Sequence, residues 1–248
     1  MATVFTRSIK QAVRHLVTKC GSPTVYSAAR KLSGANVDYV FHESLAERFS
    51  SIYSQGVWLN ERRSGSRSGI GSELRSTELL RRGLPEMLHS LGTRMLLDVG
   101  CGDLTWMKEA GLPCKYTGAD IVRQVIEENS KRYASPARTF QLLDATRDPL
   151  PAADTILCRE VLIHLSFADI WRLIENVRAS GAMIFVATTD SGIRLNADIR
   201  SGDFRPVNLR KAPFRFPEPV RWLTDDQVAP ERMMAAWAVS ALPRSPER

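Results

Sequence analysis

From residue 95 onward, short apolar runs alternate with stretches of helical periodicity. Met95, Leu96, Leu97 and Val99 read as a buried strand over 95–99. The pattern then predicts a helix over 104–111, a strand over 115–120, a helix over 122–132, strands over 138–143 and 153–158, a helix over 167–179 and a strand over 182–188. Strands that alternate with helices specify an α/β fold, a mostly parallel sheet with helices on both faces. Upstream, Phe5, Ile9, Ala12, Val13, Leu16 and Val17 share one face of a predicted helix from Phe5 to Lys19, which Gly21-Ser22-Pro23 should stop. Phe41, Leu45, Phe49, Ile52 and Tyr53 predict a second helix from about Tyr39 to Ser54, and a third leads from Glu73 to Ser90. Between them, the Ser, Gly and Arg-rich stretch from Gly56 to Gly71 reads as a mobile loop.

The most informative stretch runs from Met95 to Met107. Its strand stops at Asp98 and breaks into Gly100-Cys101-Gly102, where missing Cβ atoms let the backbone turn sharply and approach a ligand. Tyr116–Asp120 is a second strand ending in a carboxylate, placed after the turn about where a ribose-binding acid belongs in a Rossmann-like unit. A third run, Phe140–Asp144, also ends in an acid. Trp106 and Met107 follow where a third glycine would be needed, so the dinucleotide fingerprint is absent and no pyrophosphate has to be cradled.

Glycine turn, ribose acid and third-strand acid, in that order, resemble class I S-adenosylmethionine-dependent methyltransferases. The resemblance tightens to one bacterial group of them through five motifs: Arg67–Ser72, Cys101–Met107, Gly118–Val122, Cys158–Ser166 and Asn196–Pro217. It covers roughly residues 45 to 240. It implies a Rossmann-like sheet with a C-terminal antiparallel hairpin, for which Val220–Leu223 and Met233–Ala241 are the candidates. It also implies S-adenosyl-L-methionine as cofactor. Asp98, Gly100 and Gly102 would shape the turn under its methionine and ribose, Asp120 would accept from both ribose hydroxyls with Ile121 beside it, and Asp144 with Ala145 would face the adenine. Arg67 would reach the methionine carboxylate from an N-terminal cover.

With 248 residues, 44% of them hydrophobic, the chain suits one domain and an N-terminal addition. We expect a helical extension and cover loop over 1–72, and a methyltransferase domain over 73–248 with a lid insertion at 190–217. The net charge of +7 suggests nucleic acid until it is located. Arg7, Lys10, Arg14, Lys19, Arg30 and Lys31 stand in an N-terminal segment without acids, and setting those six aside leaves 28 basic against 27 acidic residues. That distribution disfavours a nucleic-acid partner. It leaves the basic N-terminal helix as a candidate membrane-surface or targeting contact. Four cysteines and four histidines are scattered without a C-x-x-C pair, so no metal site is expected. No secretory signal or membrane span is evident, which makes the cytoplasm the expected compartment.

Cys158–Ser166 falls where the fourth strand ends, the rim at which open α/β sheets bind substrates. Arg159, Glu160 and His164 are the catalytic candidates, Glu160 and His164 sharing a face if the turn is helical. His164 has the intrinsic basicity to deprotonate a hydroxyl nucleophile. The polar, Pro- and Phe-containing stretch Asn196–Pro217 reads as a substrate lid. Asp203, Arg205 and Asn208 would face the acceptor, with Phe214 and Phe216 as walls. The expected activity is O-methylation of a small hydroxylated acceptor such as a sugar or glycan precursor. An RNA- or DNA-modifying methyltransferase and a non-catalytic cofactor-binding regulator are the alternatives. The sequence sets no oligomeric state.

Overall fold

The computed structural model describes residues 23–32, 36–59 and 65–246. The helix expected over Phe5–Lys19, and its membrane-surface role, lie outside the described residues. Seven strands form one sheet in the order β3-β2-β1-β4-β5-β7-β6. They are β1 (Met95–Val99), β2 (Lys115–Asp120), β3 (Arg138–Leu142), β4 (Thr155–Cys158), β5 (Ile184–Asp190), β6 (Arg221–Thr224) and β7 (Arg232–Ala238). The first five are parallel, and β7 enters antiparallel between β5 and β6, giving the Rossmann-like sheet and closing hairpin.

The two faces of the sheet follow from strand periodicity. Leu97, Ile156, Phe185 and Trp237 pack under α5 (Phe167–Ala179), which supplies Ile170, Leu173, Ile174 and Val177. Their neighbours Leu96, Leu157, Val186 and Ala236 point the other way, against Leu80, Leu84 and Leu88 of α3 (Glu78–Ser90). Helix α4 (Arg123–Tyr133) returns the chain from β2 to β3.

The other elements differ from the sequence pattern in instructive places. Pro23 opens a helix that the sequence pattern did not predict, α1 (Pro23–Leu32); proline suits a first turn because its missing N–H would be unpaired there anyway. The helix expected from Tyr39 is a 3-10 turn, Asp38–Phe41, followed by α2 (Leu45–Gln55). Ser44 and Glu47 form a reciprocal capping box that fixes the start of α2. Between Glu73 and α3 the chain makes a 3-10 turn, Leu74–Ser76. The helix expected over 104–111 shrinks to one turn, Met107–Glu109, because Leu104 adopts a left-handed φ of 59°.

Candidate active site

A cleft opens at the carboxyl ends of β1 to β4, beside the point where strand order reverses, which is where open α/β sheets bind ligands. It holds about 1000 Å3 of empty space, counting the part open to solvent. The glycine turn forms its floor. Gly100 and Cys101 donate backbone hydrogen bonds to Ala119 O, and Asn129 of α4 braces the turn by donating to Gly102 O at 2.7 Å. Gly100 and Gly102 have φ of 72° and 59°, a left-handed backbone that glycine adopts without strain. A Cβ on Gly100 would sit 2.3 Å from Val161 Cγ2, and one on Gly102 would sit 2.3 Å from Ser68 Oγ.

Asp120 joins the second strand to this turn. Its Oδ2 accepts from Gly102 N–H and its Oδ1 from Val122 N–H, both at 3.0 Å. A carboxylate has about four acceptor sites, so lone pairs remain for further donors in the cleft that Asp120 lines. Burial raises its pKa while the two amides oppose the rise. Asp98 lines the same wall, and burial lifts its pKa to about 7 against the hydrogen bond it accepts from Tyr116. Ile121, Asp144, Ala145 and Thr146 complete this side. Asp144 Oδ1 accepts from Thr146 N–H at 2.9 Å, and Asp148 caps Asp144 N–H without lining the cleft.

Phe49 and Tyr53 of α2, with Trp58, Trp106 and His164, add aromatic groups to the lining, and Tyr53 packs on Val122 and Val125. Trp58 lies 4.8 Å from the His164 ring and 5.6 Å from Tyr53. The segment 65–72, expected to be a mobile loop, is anchored across this end. Ser66 Oγ and Arg67 N–H donate to the Asp103 carboxylate, Ser68 Oγ accepts from Asp103 N–H and pairs with Tyr53, and Gly71 O accepts from Arg159. Serine hydroxyls and one carboxylate fix it where composition alone suggested freedom.

At the end of β4, Glu160 adopts a left-handed φ of 56°. Arg159 is buried and forms two 2.9 Å bonds to Asp225. Glu160 pairs with Arg232, which also contacts Asp190 at 3.2 Å. Burial works against the Glu160 carboxylate, but Arg159 and Arg232 outweigh it and hold it below the usual range, ionised. His164 follows in a 3-10 turn, Leu162–His164, so the expected helical spacing from Glu160 is not what brings the two together. His164 Nδ1 lies 3.0 Å from Asp203 O. A carbonyl only accepts, so Nδ1 carries the proton and Nε2 is left as an acceptor. Burial pushes the His164 pKa down to about 4, leaving the ring neutral near pH 7.

Of the expected site residues, Asp98, Gly100, Gly102, Asp120, Ile121, Asp144, Ala145, Arg159, Glu160 and His164 line this one cleft. The others point elsewhere. Arg67 contacts Glu128 of α4 at 3.1 Å, with its guanidinium 5.7 Å from the Tyr53 ring, and does not line the cleft where the expected carboxylate contact would have put it. Arg205 is fully buried and donates to Ala197 O, Leu162 O and Leu165 O. Asn208 donates to Ser191 O and Ile193 O, and Asp203 pairs with Arg30. Phe214 and Phe216 pack on Trp171 and Trp237 in the core. The stretch expected to be a lid over the acceptor is therefore a brace in its described form: its polar groups satisfy irregular backbone that would otherwise be buried unpaired. Sequence reasoning missed Tyr53, Trp58 and Ser68. Trp58 offered a signal, a large aromatic beside a run of small polar residues.

Residues 97–180 match the protein family described as “Methyltransferase domain”. The chain carries a methyltransferase domain. The matched stretch contains the glycine turn, Asp120, Asp144, Glu160 and His164, and its cofactor is S-adenosylmethionine. The cleft fits that group. Val161 and Ser68 pack directly onto Gly100 and Gly102, where a Cβ would collide with them, and the buried Asp120 carboxylate beside the turn keeps acceptor capacity for the hydroxyl donors of such a group. The chain is also similar to several solved structures. One is the N-methyltransferase NodS from Bradyrhizobium japonicum WM9 in complex with S-adenosyl-L-homocysteine, at 18% identity over 76% of this chain and 98% of that one, TM-score 0.48. Human N-acetylserotonin methyltransferase in complex with SAM shows 16% identity over 82% and 57%, TM-score 0.44. The [4+2]-cyclase SpnF shows 19% identity over 73% and 75%, TM-score 0.47. A search of curated proteins found no match. Among the described residues no helix is long and apolar enough to cross a membrane.

Proposed function

We propose that the methyltransferase domain transfers its methyl group to a hydroxyl of a small acceptor, with His164 as general base and Glu160 as the group that orients the acceptor. The observation that carries this reading is a neutral imidazole, its Nδ1 committed to Asp203 O, lining the same cleft as the glycine turn and Asp120. S-adenosylmethionine, when bound, supplies an activated methyl group. The residues then have separable tasks. Gly100, Gly102, Asp98 and Asp120 hold the cofactor's methionine and ribose, and Ile121, Asp144 and Ala145 its adenine.

His164 Nε2 accepts the hydroxyl proton. Glu160, kept ionised by Arg159 and Arg232, favours the imidazolium that results and presents a second acceptor to the incoming molecule. Trp58, Tyr53 and the 65–72 segment exclude water, which strengthens these interactions. Flat aromatic walls with a carboxylate and an imidazole at one end suit a ring bearing hydroxyl groups, so a sugar or glycan precursor is the acceptor class we favour. Nucleic acid is disfavoured by the near balance of charge outside the N-terminal segment.

The test is formation of S-adenosylhomocysteine on a panel of small sugars, phenols and amines. A sugar should turn over, and His164→Ala should lower kcat by about 100-fold or more while cofactor affinity stays within about twofold. Turnover of amines alone, or no effect of His164→Ala, would refute the assignment.

A further inference from the structure

One short segment holds both the main chain and the ring of His164. Gly202 N–H donates to His164 O at 2.8 Å, Arg205 N–H donates to Ile163 O at 3.0 Å, and the imidazole Nδ1 meets Asp203 O at 3.0 Å. Phe204, the next residue, sets its ring 5.7 Å from the imidazole, which also has Trp58 at 4.8 Å. The geometry of this segment is fixed from outside the sheet. Asp203 is buried, and its Oδ1 accepts from Phe204 N–H at 2.8 Å and from Arg30 Nη1 at 2.6 Å. Arg30 belongs to the last turn of α1, 173 positions earlier in the chain. Arg200 and Arg48 stitch the same neighbourhood together, Arg200 to Val40 O and Arg48 to Ser201 O.

We propose that Arg30 is a positioning residue for His164, acting through Asp203. Its ion pair holds the Asp203–Phe204 peptide so that the Asp203 carbonyl selects the Nδ1-protonated tautomer and Phe204 flanks the ring. A neutral imidazole has two tautomers, and a single fixed acceptor decides between them. Weakening that acceptor's position costs the site its base without touching the cofactor side, because Arg30, Asp203 and Phe204 do not line the cleft. The catalytic consequence rests on His164 being the base; the tautomer itself does not. The charged groups that face His164 are Glu160, which favours its protonation, and Arg205 and Arg232, which oppose it. None of these sits on α1; Arg30 reaches His164 through Asp203, and Asp203→Asn, which carries no charge, separates geometry from the carboxylate that Arg30→Ala leaves without this cation.

The test uses the full chain with 15N-labelled histidine, read by NMR without any acceptor and assigned by the signal missing in His164→Gln. Wild type should show Nδ1 protonated at pH 7. Arg30→Ala and Asp203→Asn should show both tautomers and a His164 titration midpoint raised by about one pH unit or more, as the ring gains water. Arg30→Lys should restore the wild-type pattern. Arg30→Gln keeps a donor without the charge and serves if Arg30→Ala does not fold. An unchanged tautomer and midpoint in either folded variant would overturn the proposal. If the tautomer shifts but His164→Ala leaves methyl transfer intact, the positioning role stands and the general-base reading falls.

Discussion

Asp120 Oδ2 accepts a hydrogen bond from the backbone N–H of Gly102 at 3.0 Å, tying the end of β2 to the glycine turn after β1. One carboxylate thus shapes the turn and faces the cleft. Replacing it removes both functions. Asp120→Ala should weaken S-adenosylmethionine binding at least about tenfold, since hydrogen bonds to a charged acceptor are worth roughly 1.5–3 kcal/mol each. Titration calorimetry on the folded variant measures this, and an unchanged affinity would remove Asp120 from the cofactor site.

The low basicity of His164 moves the acid limb of the reaction. A base with a pKa of about 4 is protonated, and lost, only below that value. The pH profile of kcat/KM should therefore stay level on the acid side down to about pH 4, rather than fall near the 6.5 of an ordinary imidazole. Stopped assays over pH 4 to 8 on one identified acceptor would show it. A limb near 6.5 would mean that the ring is more hydrated than its packing indicates.

Asp98 carries the opposite shift. Its pKa of about 7 leaves it partly protonated in the free protein, and on the proposed placement the cofactor's cationic methionine end beside it favours the ionised form. Cofactor affinity should rise between pH 6 and 8, and Asp98→Asn should flatten that rise. In the ligand-free protein the sign is reversed for folding. A carboxyl whose folded pKa is raised stabilises the native state most at low pH, and that contribution is lost as pH rises from about 4 to 7. Calorimetric affinities and denaturation midpoints measured over the same pH range test both halves.

Arg205→Ala should destabilise the fold by about 3 kcal/mol or more. The change strips three main-chain carbonyls, of Ala197, Leu162 and Leu165, of a buried donor, each costing roughly 1–3 kcal/mol when left unpaired. Urea unfolding measures the loss. A stable variant with a raised acceptor KM would instead return Arg205 to the acceptor site.

What could be read in advance follows from the range of the interactions involved. β1, β2 and α5 begin and end where the apolar pattern places them, because that signal lies within each element. That the glycine turn, Asp98 and Asp120 would line one cleft was legible for a similar reason: a strand, a glycine turn and a carboxylate stand close together in the chain. The charge network around Glu160 was not. Arg232 is 72 positions from Glu160 and Asp225 is 66 from Arg159, and only the return of the hairpin brings them together. Asp203, Arg205 and Asn208 were misread because polar residues gathered in irregular chain can face a ligand or satisfy buried backbone. Burial decides between these uses, and sequence does not record it.

The central claim is methyl transfer from S-adenosylmethionine to a small hydroxylated molecule by the cleft that Asp120 and His164 share. It is tested most directly by incubating the protein with methyl-labelled S-adenosylmethionine and a cell extract separated into small-molecule, protein and nucleic-acid fractions. The account predicts label in the small-molecule fraction with wild type, at least about tenfold less with Asp120→Ala at cofactor concentrations below the wild-type Kd, and a trace with His164→Ala. Label in the nucleic-acid or protein fraction, or in no fraction although the cofactor binds, would contradict it.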